Sequence, residues 1–128
     1  MRTRLLIPVL AAGALGAGVV GCSTHGGLAE PALTTSASPA RGRQLIEYYG
    51  CGACHVIGGI STANGHVGPP LTNFRARHPQ ILGLMPNTPA NLVRWIMNPQ
   101  KILPKGDMPD LGIGKQGAQA IAAYLYGQ

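Results

Sequence analysis

Aromatic residues are scarce in this chain: its 128 residues include one Trp, one Phe and four Tyr. A domain of this size buries a limited share of its surface, so a core built from such side chains alone would be thin. A large apolar body from outside the polypeptide would fill the gap. Cysteine is also sparse, at three residues, and no disulfide is implied. No stretch alternates apolar and polar residues as a half-buried strand does, which leaves an all-α fold. Lys and Arg total 10 against 4 acidic residues, a formal charge of +6, yet the basic residues are dispersed. They form no run and no interleaving with aromatics, which argues against nucleic acid as a partner.

Glycine and proline are abundant instead, at 19 and 11 residues, and one stretch organises the rest: Cys51-Gly52-Ala53-Cys54-His55. C-x-x-C-H is the spacing that attaches a c-type haem. Each thiol can add across one haem vinyl group, giving two thioether bonds. Two intervening residues let both sulfurs reach one face of the macrocycle, and His55 then lies under the iron with an imidazole nitrogen to offer. Gly52 and Ala53 are small, so the backbone is expected to lie close against the ring. A zinc site would want a second Cys or His pair at short spacing, and a thiol–disulfide centre would want a βαβ pattern. Neither is present, so the expected cofactor is one covalently bound haem c.

The N-terminus reads as an export signal over residues 1–21. Arg2 and Arg4 form its positive start, and residues 5–20 are apolar apart from Pro8 and several glycines. Val19-Val20-Gly21-Cys22 resembles a bacterial lipobox, with Val19 where Leu is usual, so Cys22 is the expected lipidation site. An uncleaved anchor or an ordinary signal peptide is the other reading, but the segment is short and glycine-rich for a spanning helix. Lipidation would hold the protein at a bilayer surface on the extracytoplasmic, periplasmic side. Loss of Arg2 and Arg4 would leave a charge of +4, which could steer docking to an acidic partner. Residues 22–40 read as a flexible linker of Ser, Thr, Ala, Gly and Pro, with a reach on the order of 25 Å. The folded domain is expected over residues 41–128.

Ser38-Pro39 has the form of a helix start, N-cap then first helical position, for a helix over about residues 40–49 that stops at Gly50. Leu45, Ile46 and Tyr49 share one face, and Gly42 beside it would let another helix cross closely. Residues 56–71 are rich in Gly and Pro, a long irregular loop that is suspect in a compact domain unless it wraps something. There the Pro69 carbonyl could meet the second ring nitrogen of His55, fixing the ring. His66 is expected at the surface. A short turn over residues 73–78 carries Arg75 and Arg77, either of which could approach a propionate. Thr88-Pro89 starts a helix over residues 90–97, in which Trp95 is expected to be core with its indole N–H toward a propionate. Residues 101–112 read as loop, and a last helix over Lys115–Tyr126 carries an apolar stripe at Ala118, Ile121, Ala122 and Leu125.

A sixth ligand of methionine type raises the haem potential. Met97 falls in a helical apolar pattern and suits the core. Met85 and Met108 both precede proline in loops. Met85 is expected at the cavity edge, and Met108, before the last helix, is the expected ligand.

From Arg41 to the end, about two-thirds of the chain, the sequence resembles a class I cytochrome c. The matching pieces are Gly42-x-x-Leu45, Cys51-x-x-Cys54-His55, Gly68-Pro69-x-Leu71, Trp95-Ile96, Met108-Pro109 and Ala123-Tyr124-Leu125. It is similar to the cytochrome c domains fused to subunit II of haem-copper oxidases and to bacterial lipoprotein cytochromes, including at Asn87-x-Pro89-x-Asn91-Leu92 and Asn98-Pro99-Gln100. The resemblance implies first and last helices crossing at a glycine, thioether bonds at Cys51 and Cys54, and axial ligands His55 and Met108. Ile46 departs from the Phe or Tyr usual there, which bears on how tightly the helices cross. The implied function is one-electron transfer with redox-protein partners, without enzymatic turnover of a small-molecule substrate. A fixed subunit of an oxidase or dehydrogenase complex is the first alternative. A haem enzyme or gas sensor with a labile methionine is the second.

Overall fold

The computed structural model describes residues 37–128. The export signal, Cys22, His25 and the linker as far as residue 36 lie outside the described residues.

Helix α1, Pro39–Tyr48, starts where Ser38 and Pro39 predict. The Ser38 hydroxyl accepts the Arg41 N–H at 3.3 Å, and Pro39 loses no bond because its missing N–H falls among the unpaired first-turn donors. Helix α1 therefore begins two residues ahead of residue 41. At the other end, Gly50 takes a φ of 68°, a left-handed conformation that glycine adopts without a Cβ clash. It turns the chain into a 3-10 turn over Cys51–Ala53.

Helix α2 is a single turn, Phe74–Arg77, and a hairpin follows. Strands β1, Gln80–Ile81, and β2, Met85–Pro86, pair antiparallel with Ile81 opposite Met85. Leu82 and Gly83 at its tip have φ of 52° and 69°, the paired left-handed conformations of a tight hairpin turn. Two-residue strands are too short to show alternation, so this ladder is an addition to the all-α expectation. Helix α3, Pro89–Met97, is capped by Thr88, whose hydroxyl accepts the Asn91 N–H at 3.2 Å. Helix α4, Pro99–Ile102, lies in the stretch read as loop; four residues are too few for an apolar stripe. Helix α5, Lys115–Tyr126, closes the domain.

Helix α5 packs against α1 and α3. The stripe of Ala118, Ile121, Ala122 and Leu125 is buried, together with Leu45 and Ile46 of α1 and Leu92 and Ile96 of α3. Gly42 sits at the α1–α5 crossing. A Cβ there would overlap the Ala120 carbonyl oxygen and stand 2.9 Å from the Tyr124 Cβ. Ile46 is 1 % exposed, so the smaller side chain still fills the crossing.

The C-terminal turn of α5 ties down the hairpin. The Tyr126 hydroxyl donates to Asn87 Oδ1 at 2.6 Å, and Asn87 Nδ2 donates to the His78 carbonyl at 2.6 Å. Burial pushes the Tyr126 phenol above its ordinary value, opposed by the nearby Arg75 charge. An acid raised on folding stabilises while it stays protonated. This contribution is complete below the ordinary tyrosine value of about 10 and disappears as pH rises through the folded value. Denaturant midpoints measured across that alkaline range should fall more steeply in the parent than in Tyr126→Phe. At neutral pH the variant should be less stable by about 1 kcal/mol. Parallel pH profiles would refute the coupling.

Candidate cofactor cavity

A cavity of about 550 Å³ opens between the helices. Its walls are Ile46 of α1 and Tyr49 just past its end, Phe74 of α2, Leu92, Trp95 and Ile96 of α3, and Ile121 and Leu125 of α5. Leu71 and Ile113 add to an almost wholly apolar lining. The volume falls within the range of about 300–1,000 Å³ typical of ligand sites.

Cys51, Cys54 and His55 all line this space. The 3-10 turn brings them together: the N–H groups of Cys54 and His55 both reach the Cys51 carbonyl, at 3.2 and 3.0 Å. Cys51 and Cys54 are free and half-buried. Burial pushes the Cys51 thiol above its ordinary value, a hydrogen bond with its own backbone opposes this, and nearby Cys54 adds to the rise.

Loop residues 56–71 double back over this turn. Gly65 N–H donates to the Gly52 carbonyl at 3.0 Å, Gly68 N–H to Cys54 at 2.8 Å and Leu71 N–H to Val56 at 2.7 Å. A Cβ on Gly52 would stand 2.7 Å from the Ala63 Cα, so the loop itself demands the glycine. Ala53 is exposed, and a Cβ on Gly65 would strike its carbonyl.

Pro69 stands where expected. His55 Nδ1 and the Pro69 carbonyl oxygen are 2.7 Å apart. A carbonyl only accepts, so Nδ1 carries the proton and Nε2 keeps its lone pair for a metal. Gly68 lies flat on the same ring, where a Cβ would come 2.7 Å from Nδ1 and 2.9 Å from Nε2. Side chain and loop together hold the imidazole in one orientation.

Of Met85, Met97 and Met108, Met108 lines the cavity and the other two do not. Met97 packs against the core, as expected. Met85 corrects the expectation of a cavity-edge residue: pairing with Ile81 in the hairpin turns it onto the core. Trp95 is half-buried in the cavity wall and packs on the core from outside. Arg75 and Arg77 are exposed and do not line the cavity. His66 is at the surface.

Two lining or supporting residues went unread. His78 lines the cavity, stacks on Phe74 with ring centroids 5.2 Å apart, and donates from Nε2 to the Pro70 carbonyl at 2.8 Å. Consecutive proline carbonyls are thus gripped by two histidines. Gln100 grips the backbone at Met108. Gln100 falls in the Asn98-Pro99-Gln100 stretch that carries the resemblance, but its contact is not encoded there; His78 has no signal beyond its place next to Pro79.

The donor set suits haem. Two thiols, an imidazole with Nε2 available and a thioether share one apolar cavity, and Cys51, Cys54, His55 and Met108 are the residues that would hold such a group. Among the described residues, no cluster of three or more His, Cys, Asp or Glu is arranged to hold a metal ion unaided.

Comparison with known proteins agrees. The family model described as Cytochrome c matches residues 39–127. Cytochrome c oxidase subunit 2 of Alkalihalophilus pseudofirmus is 37% identical over 86 residues, covering 66% of this chain and 24% of that protein. The chain thus spans about a quarter of the length of that curated relative. No solved structure matches significantly.

Proposed function

This chain belongs to the cytochrome c family, and from that premise we propose that it carries single electrons in a respiratory chain. In this reading one haem c is bound through Cys51 and Cys54 and ligated by His55 and Met108. The observation that carries it is the convergence of these four side chains on one apolar cavity of about 550 Å³.

When bound, haem supplies the Fe(II)/Fe(III) couple. The protein's part is to set its surroundings. Pro69 fixes the His55 tautomer and so the nitrogen offered to iron. A neutral thioether at Met108 favours the reduced state, and the apolar walls exclude water. Were His55 and Met108 both to hold the iron, no site would be left for a substrate, and the protein would act as a carrier and not as an enzyme or gas sensor. Val67 and Leu82 at the cavity mouth are exposed and suit contact with a redox partner.

The partner we propose is a respiratory oxidase or dehydrogenase complex, because the curated relative is an oxidase subunit 2. A fixed subunit of such a complex is the second reading, favoured by the same likeness. Co-purification from solubilised membranes would separate it from a mobile carrier. Among the described residues no helix is long and apolar enough to cross a membrane. Attachment is assigned to a lipid on Cys22, on the extracytoplasmic side.

Met108→Ala tests the ligand set. Its oxidised form should lose the weak sulfur-to-iron band at the red end of the spectrum, and its reduced form should bind carbon monoxide readily. Met85→Ala should keep the band and resist carbon monoxide like the parent. The reverse pattern would transfer the ligand role to Met85. Rapid carbon monoxide binding by the parent would favour the sensor.

A further inference from the structure

The segment that carries Met108 is secured by one side chain. Residues 103–114 are neither helix nor strand, and Lys105 takes a left-handed φ of 71°. Gly106 N–H closes a local turn onto the Leu103 carbonyl at 3.0 Å. Beyond that turn, residues 107–109 make one hydrogen bond to any described residue: the Met108 carbonyl accepts from Gln100 Nε2 at 2.7 Å. The same nitrogen donates to the Gly106 carbonyl, also at 2.7 Å. A primary amide has two N–H hydrogens, and both are engaged on this segment. Gln100 itself stands on a firm base. Pro99 before it is less than 2 % exposed, and the Leu103 N–H returns to the Pro99 carbonyl at 2.9 Å.

We infer that Gln100 is a positioning residue that holds Met108 in the cavity by gripping the backbone at Gly106 and Met108 together. The inference rests on the proposed ligation by Met108. A thioether reaching iron from an otherwise untied segment exchanges between attached and detached arrangements. Restraint of its backbone favours the attached one. Losing two hydrogen bonds at once should shift that equilibrium roughly tenfold toward detachment.

The test uses the full-length haem-loaded protein. Gln100→Leu keeps side-chain bulk without donors, and Gln100→Glu keeps the shape but sets an ionised carboxylate against two carbonyls. Should the leucine variant fail to accumulate, the glutamate variant decides alone. Both should retain covalent pigment, show a weakened sulfur-to-iron band, and bind carbon monoxide about tenfold faster than the parent when reduced. A purely structural glutamine would lower the unfolding midpoint and leave band and rate unchanged; that outcome overturns the inference. Met108→Ala is measured alongside. If it keeps the band, the ligand assignment fails and the inference with it. If it loses the band while both Gln100 variants match the parent, the inference alone falls.

Discussion

Cys51→Ala combined with Cys54→Ala should yield a protein whose pigment comes away in acidified acetone, whereas the parent should keep its colour on the chain after denaturation. The parent's haem would be held by two carbon–sulfur bonds that no denaturant breaks. In the double variant only His55, Met108 and burial remain, all reversible, so occupancy follows mass action. Either single variant should keep its pigment through the one remaining thioether. The consequence for stability is large. Emptied, the apolar walls around a space of about 550 Å³ would face water or collapse, a heavy loss for a small domain whose net stability is about 5–15 kcal/mol. Freed of pigment, the double variant should therefore lose cooperative unfolding in calorimetry. Pigment that extracts freely from the parent would sink the haem c reading outright.

Gly42→Ala should be among the most damaging single-methyl additions in the domain. The added Cβ overlaps the Ala120 carbonyl oxygen and lies 2.6 Å from its carbon. Backbone of a packed helix cannot move aside as a side-chain tip can, so α1 and α5 must separate. Overpacking of this kind costs about 3 kcal/mol or more. Ile46 on α1 and Tyr49 at its C-cap line the cavity, so the displacement should also alter the absorption bands of the proposed haem. Gly114→Ser is the control: nothing lies within 4 Å of its Cβ position, and α5 has no side-chain cap there. It should be neutral or gain a few tenths of a kcal/mol. Equal denaturant midpoints for Gly42→Ala and the parent would refute the close crossing.

Much of this domain was legible residue by residue. Ser38-Pro39 and Thr88-Pro89 announced two helices because capping is settled within three residues of the start. The Ala118–Leu125 stripe announced the buried face of α5 because helical period alone sorts it. Gly42 and Pro69 were legible too, although each acts on a partner far along the chain. Their chemistry is narrow: a residue without Cβ for a crossing, a carbonyl next to a proline for an imidazole.

Other features resisted because their cause is a distant neighbour of no particular type. Gly52 gives way to Ala63, and Gly65 to the Ala53 carbonyl. Met85 was drawn from the cavity edge by a two-residue ladder. Gln100 looks like any polar residue near a proline until its amide is seen between two carbonyls.

Helix starts, apolar faces and the types of donor atom were thus inherent in the order of residues, since each depends on neighbours a few positions away. That Met85 turns onto the core, that His78 holds the Pro70 carbonyl and that Gln100 secures Met108 depended on the folded chain. Those contacts join residues that only long-range packing brings within reach, and no local spacing encodes them.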